Sequence, residues 1–186
     1  CKPHKLHARR GIAEGEETAP ELAEILEDNG ASAVCVHGRT AAQLYSGKAD
    51  LGCIRRVKEA VSVPVFGNGD VTDGAGALSM MRETGCDGVM VGRAAMGDPW
   101  VFSRIAAALA GDPVPEPPGP KERAAMMRRH ADRLIALKGE RTAILEMRKH
   151  AAWYTAGLKG ASAARRALNT VSTAEELYNW LTSIDR

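Results

Sequence analysis

Residues 62–100, SVPVFGNGDVTDGAGALSMMRETGCDGVMVGRAAMGDPW, hold two apolar runs, Val63–Phe66 and Gly88–Val91, with helix-forming sequence between them. Each run ends in glycine and polar residues, so the order reads β-turn-α-β-turn-α. A strand running out into Gly67-Asn68-Gly69-Asp70, then another running out into Gly92-Arg93, matches the way a (β/α) barrel makes a phosphate site. Such a barrel uses the loops after its last strands and a helix N-terminus. Glycines at 67, 69 and 92 allow positive φ and close backbone approach, so that amide N–H groups meet phosphate oxygens while Arg93 adds a bidentate charge. One turn of this kind is as readily an ordinary connection. Two in succession carrying Asn, Asp and Arg point to an anion or a cofactor phosphate.

Upstream, the same unit recurs. His4–Ala8 is a short strand and Arg9–Glu17 a polar loop. Thr18 opens a helix with Pro20 in its first turn and Glu21 as capping-box partner, and Asn29-Gly30 stops it. Ala33–Val36 is a buried strand ending in His37-Gly38-Arg39-Thr40, and a loop through Tyr45, Gly47 and Asp50 leads to a helix with Ile54 and Val57 on one face. Asp73 caps the helix that runs to Thr84, and a further helix, starting at Ala94 or Trp100, runs to about Ala110. Four parallel βα units follow, which is half of an eight-stranded barrel. The expected fold class is α/β: the C-terminal half of a (β/α)8 barrel over residues 1–110, then a small all-α domain.

Downstream, Gly111–Pro120 (GDPVPEPPGP) holds five prolines in ten residues and reads as a linker over 111–120. Residues 121–186 then read as a helical bundle with helices over 121–137, 142–156, 162–169 and 173–184, the last opened by a Thr173–Glu176 capping box.

Composition agrees with this division. Apolar residues make up 45% of the 186 and aromatics only 4%, as suits packed helices and buried parallel strands. Net charge is +2, but Lys/Arg against Asp/Glu is 12 to 16 up to Pro120 and 13 to 7 beyond it. The basic tail either faces a polyanion or is a solvated helix face. Cys1, Cys35, Cys53 and Cys86 lack metal-ligand spacing and sit in or beside apolar runs, which suits buried free thiols in a reducing, cytoplasmic setting; no metal is expected. No run is long and apolar enough for a membrane helix.

Polar residues at strand carboxyl ends are the ones a parallel barrel offers to ligands. Here these are His7 with Arg9, His37 with Arg39, Asn68-Gly69-Asp70 and Gly92-Arg93. His37 either donates to a cofactor or substrate carbonyl or is a satisfied structural histidine. In the tail, Arg148-Lys149-His150 precedes Trp153 and Tyr154. Lys149 shares a helix face with Trp153, and His150 with Tyr154, so that cations and stacking rings could meet RNA. Trp153 itself reads better as an anchor of the bundle core, which leaves the cations free for RNA.

Four motifs, HGRTAAQLYSGKAD (37–50), PVFGNGDVTD (64–73), TGCDGVMVGRAAMGDPW (84–100) and RKHAAWY (148–154), occur in an order and spacing that resemble the tRNA-dihydrouridine synthases, nearest the bacterial B-type subgroup. The resemblance runs from Pro3 to about Leu181. It implies an FMN enzyme, recharged by NADPH, that reduces uridine in tRNA. It also implies that His37 meets the flavin ring and that Asn68, Gly69, Asp70, Gly92 and Arg93 line its phosphate and ribityl region. Arg39, Arg148, Lys149 and His150 become the tRNA-facing residues. In the first strand the family's usual Lys-x-Arg reads His7-Ala8-Arg9. The family carries its catalytic cysteine in four βα units that would precede Cys1, and Cys1 does not match that motif. The expectation is therefore a fragment that is inactive alone and that either pairs its open barrel edges in a homo-oligomer or depends on an N-terminal portion. An alternative of another class is a non-catalytic module binding phosphate or RNA.

Overall fold

The computed structural model describes residues 4–158 and 160–184; Cys1 lies outside them. Among the described residues the chain is an α/β protein with one four-stranded parallel sheet and eight α-helices. It forms two compact units, one of Cys1–Ala94 with Val101–Val114, the other of Ala95–Trp100 with Pro115–Arg186.

In the first unit strands β1 (His4–Arg9), β2 (Ala31–His37), β3 (Val65–Asn68) and β4 (Gly88–Met90) lie in that spatial order, all parallel. Helices α1 (Ala19–Asp28), α2 (Leu51–Ala60), α3 (Gly74–Thr84) and α4 (Val101–Ala110) pack each on the next. Alternation assigns the two faces of the sheet. Val34, Val36 and Val65 are fully buried, and a Cβ on Gly67 would stand 2.6 Å from the Met80 sulfur of α3, so this parity faces the helices. The opposite parity carries Cys35, His37, Phe66 and Asn68. Cys35, Cys53 and Cys86 are buried and unpaired.

Several boundaries differ from the sequence expectation for local reasons. β3 starts at Val65 instead of Val63, because the Glu27 carboxylate takes the amides of Ser62 and Val63 and Pro64 has no N–H for the ladder. Gly67 and Asn68 are consequently strand residues, and the turn begins at Gly69-Asp70. Thr18 does not cap α1 with its side chain; its backbone is already helical and its amide donates to the Arg10 carbonyl. Asp73 does cap α3, accepting from the Gly76 amide at 2.8 Å, and Asp50 caps α2 through the Cys53 amide.

In the second unit α5 (Pro120–Lys138), α6 (Glu140–Tyr154), α7 (Ala161–Thr170) and α8 (Ala174–Ile184) enclose Met127, Ile144, Met147, Leu168 and Leu177. Gly139 alone separates α5 from α6, at φ 79° and ψ 157°, a conformation that other residues rarely adopt. The capping box expected at α8 is divided. Thr173 Oγ1 accepts from the Glu176 amide, but the Glu176 carboxylate goes to the amide and hydroxyl of Ser172. Ala95–Trp100 belongs to this unit, since a Cβ at Gly97 would stand 2.4 Å from the Trp153 carbonyl carbon.

Candidate functional site

Parallel register puts the last residue of each strand in one row: Arg9 pairs with His37, His37 with Asn68, and Asn68 with Met90. This row and the turns just beyond it line a cavity of about 530 Å³ that includes His7, Arg9, His37, Asn68, Gly92 and Arg93. Asn68 fixes the end of β4 by donating its side-chain amide to the Met90 carbonyl at 2.7 Å. Gly69 has φ 129°, and a Cβ there would meet the Ala49 methyl at 2.5 Å, so this position requires glycine. Gly67 and Gly92 do not share that geometry. Neither has positive φ; Gly67 makes room for α3, and a Cβ on Gly92 would meet only open space. The expectation of three positive-φ glycines thus reduces to Gly69, and the second left-handed residue of the turn is Asp70, at φ 57°.

His37 is only 8% exposed, and its Nδ1 is buried without a hydrogen-bond partner. Burial, then the cations of Arg9 and Arg39, then His7, push its pKa below the usual histidine value, while the Arg39 backbone pulls weakly the other way. At neutral pH the ring is therefore uncharged. It keeps one donor and one acceptor, and the residue lines the cavity while its Nδ1 stays buried.

Arg39 takes a different place from the one expected of a tRNA-facing residue. It is 2% exposed and is held inside the unit. Its Nε donates to the Ser46 carbonyl at 3.0 Å, and its Nη2 donates to the Gly47 carbonyl and to both Asp70 oxygens. Asp70 also accepts from the Ala49 amide at 2.9 Å and from Arg93 Nη2 at 3.3 Å. Although burial pushes the Asp70 carboxyl up, the Ala49 amide and the Arg39 guanidinium outweigh it and hold the group below its ordinary value. Arg93 remains half exposed and lies over the Tyr45 ring, 4.5 Å from guanidinium carbon to ring centre.

In the helical unit the three consecutive cations separate. Arg148 is half-buried and donates its Nε to the Val171 carbonyl at 2.8 Å. Lys149 is exposed and lies over the Trp153 ring at 5.2 Å. His150 is half-buried against His130, with ring centres 4.6 Å apart, and against Trp153 at 5.3 Å. Trp153 stays half-buried beside a groove of about 420 Å³ that Leu145, Lys149 and His150 also line. The aromatic anchor of the core is its neighbour Tyr154, 5% exposed. Tyr45 and His130 escaped the sequence reading. The first stood there only as a loop residue between Leu44 and Ser46, and the second lies twenty positions from its partner on another helix.

Among the described residues no three His, Cys, Asp or Glu side chains are grouped as a metal site would need, and no helix is long and apolar enough to cross a membrane.

A family model described as dihydrouridine synthase matches residues 1–185. A protein of Mycobacterium tuberculosis (strain ATCC 25618 / H37Rv) named "Probable tRNA-dihydrouridine synthase" is 46% identical over 184 residues, covering 98% of this chain and 47% of that protein. Proteins of the same name from Mycobacterium leprae (strain TN) and Rickettsia conorii are 44% and 36% identical, again over 98% of this chain and over 48% and 56% of their own length. The chain thus spans about half the length of the curated relatives it matches. A solved structure of nitroalkane oxidase from Streptomyces ansochromogenes aligns with 98% of this chain and 64% of its own at 18% identity, but its TM-score of 0.34 is too low to bear on fold or function. The length of the family match and the identity of these relatives establish that this chain belongs to the dihydrouridine synthase family.

Proposed function

We propose that this chain is the C-terminal half of a (β/α)8 barrel with its helical domain, and that it serves a tRNA-dihydrouridine synthase as the flavin cradle and part of the tRNA grip. The domains are the half barrel over 1–110, apart from Ala95–Trp100, which pack with the bundle, the proline-rich joint over 111–120 and the tRNA-binding bundle over 121–186. The observation that carries the reading is His37: a neutral imidazole at a strand end, lining a cavity that Arg93 also lines. A planar, heteroatom-rich ring with a phosphate tail suits a cavity lined by a neutral imidazole and an arginine.

FMN fits these residues. His37 would hold the ring edge, the Gly69 turn and Gly92 would leave room for the ribityl chain, and Arg93 would take the phosphate. Asp70 carries a charge like that of phosphate, so its part is to hold Arg39 and Arg93. When bound, FMN supplies reducing equivalents from NADPH for the uracil C5–C6 bond. This chain's own residues bind and orient, while the proton donor lies in the further portion of barrel. In the bundle, Lys149 and His150 on the Trp153 face form the surface that meets tRNA phosphates and unpaired bases. Arg148, drawn inward by Val171, has a smaller share.

Flavin binding and tRNA mobility on the purified chain test this. The expected result is a yellow protein with flavin absorbance that shifts tRNA in a salt-sensitive manner and does not reduce uridine by itself. A colourless protein that still shifts tRNA would replace this reading with a non-catalytic RNA-binding module. Light scattering checks the edges: a stable monomer would count against pairing of copies through the open barrel.

A further inference from the structure

Among the described residues two non-glycine positions have a left-handed backbone, Leu44 at φ 49° and Asp70 at φ 57°. Non-glycine residues persist there only where the surroundings dictate it, and such strain gathers at functional sites. Leu44 immediately precedes Tyr45, and both Tyr45 and Asp70 touch the same group, the Arg93 guanidinium. Tyr45 covers its flat face at 4.5 Å, and Asp70 accepts from its Nη2 at 3.3 Å.

Both props are tied to one buried residue. Arg39 donates to the carbonyls of Ser46 and Gly47, which follow Tyr45, and to both carboxylate oxygens of Asp70. The Ala49 amide adds a second bond to Asp70, and the Ser46 amide and hydroxyl close the loop on the Gln43 carbonyl. A tyrosine 60% exposed is thereby placed over an arginine 49% exposed at the rim of the cavity. An arginine without such partners would sample many rotamers, and ordering it would weaken whatever it binds.

We infer that Tyr45 is a positioning residue for phosphate recognition: its ring, together with Asp70, fixes the Arg93 guanidinium so that a phosphomonoester is bound in preference to the same molecule without the phosphate. The inference rests on the reading of this cavity as a flavin phosphate site. The face of the ring does the work, since stacking a planar cation needs the π surface and not the hydroxyl.

The affinities of FMN and riboflavin for the purified chain separate the phosphate from the ring. Wild type is expected to prefer FMN. Tyr45→Ala should lower FMN affinity about five- to tenfold, the usual effect of leaving one long side chain unordered, with riboflavin unchanged. Tyr45→Phe should keep the preference to within about twofold. Arg93→Lys retains the charge but loses the planar stack and should match Tyr45→Ala, and the double variant should be no worse than Arg93→Lys. An upfield ring-current shift on the Arg93 Hδ protons, present in wild type and Tyr45→Phe and lost in Tyr45→Ala, reads the contact without any flavin. Wild-type preference persisting in Tyr45→Ala, additive single effects, or a loss in Tyr45→Phe as large as in Tyr45→Ala would each overturn the inference. A wild-type chain that binds flavin with no preference for FMN overturns the phosphate reading and this inference with it.

Discussion

The two units handle positive charge in opposite ways. In the α/β unit the candidate cations are built in: Arg39 is buried with four acceptor contacts, and Arg93 is held between Tyr45 and Asp70. In the helical unit Lys149 is exposed over Trp153, and the Lys138–Glu146 pair lies at the surface with both side chains about 40% accessible. The first arrangement suits a small rigid ligand, for which geometry decides affinity. The second suits a large polyanion, for which the number of neutralised phosphates matters more than the placement of any one.

The comparison is broken most severely at Asp70. Asp70→Ala leaves the Arg39 guanidinium buried without its carboxylate and places a β-carbon residue with no polar side chain at φ 57°. Removing one partner of a buried pair costs about 3 kcal/mol, and Asp70 is reached by water on one side, so about 2–3 kcal/mol is expected. Asp70→Asn should cost less, because asparagine tolerates the left-handed region and still offers an acceptor. Urea denaturation followed by far-UV circular dichroism measures both. Equal losses from the two variants would mean that shape and not charge holds the turn.

A smaller effect, confined to the helical unit, is expected from pH. Burial lowers the pKa of His130; burial and then His130 lower that of His150, with Glu146 opposing and Lys149 and Lys138 adding to the fall. A histidine whose folded pKa lies below its unfolded value of 6.5 binds fewer protons folded than unfolded. Its stabilising effect is whole above pH 6.5 and declines as pH falls through 6.5 toward the lowered folded value. Trp100, Trp153 and Trp180 all lie in the helical unit, so the midpoint of a fluorescence-detected melt reports that unit alone. The midpoint should fall between pH 7.5 and 5.5 and fall less in His150→Gln. An unchanged midpoint would show that the two rings separate in solution.

Much of the α/β unit was legible because a strand end is a one-dimensional feature. An apolar run followed by glycine and a polar residue fixes both the strand and the edge it presents, and parallel register then aligned His37 with Asn68 without further information. The failures there were local. Glu27, a residue of another element, captured Ser62 and Val63 and moved β3 by two residues. Arg39 lines the cavity, but its spacing from the strand does not show that its acceptors lie on a loop and on Asp70, 31 positions away. In the helical unit, adjacency in sequence was the misleading signal. Consecutive residues on a helix point about 100° apart, so Arg148 turns to the Val171 carbonyl while Lys149 and His150 line the groove beside Trp153. Which of Trp153 and Tyr154 entered the core depended on where α5 lay, and neither residue could show that.

The smallest expected effects bear on the difference between a cation that is structure and one that is surface. Arg148 and Lys149 are neighbours of similar charge, and composition alone would give them equal parts in binding a polyanion. Arg148 donates to the Val171 carbonyl, so Arg148→Ala should destabilise the helical unit by about 1–1.5 kcal/mol. It should leave the dependence of tRNA affinity on salt nearly as steep as before. Lys149→Ala removes an exposed side chain with a ring contact as its partner, and should change stability by no more than about 0.5 kcal/mol. If Lys149 meets one phosphate, its loss should reduce the slope of log affinity against log salt by about 1, with the weakening similar across tRNA sequences. Titrating tRNA at several salt concentrations against each variant, with a melt of each, separates the two roles. The contrast between the units requires the two substitutions to trade effects. Were Arg148→Ala to flatten the salt slope while leaving the melt untouched, the Val171 contact would be incidental and the basic tail a single undivided surface.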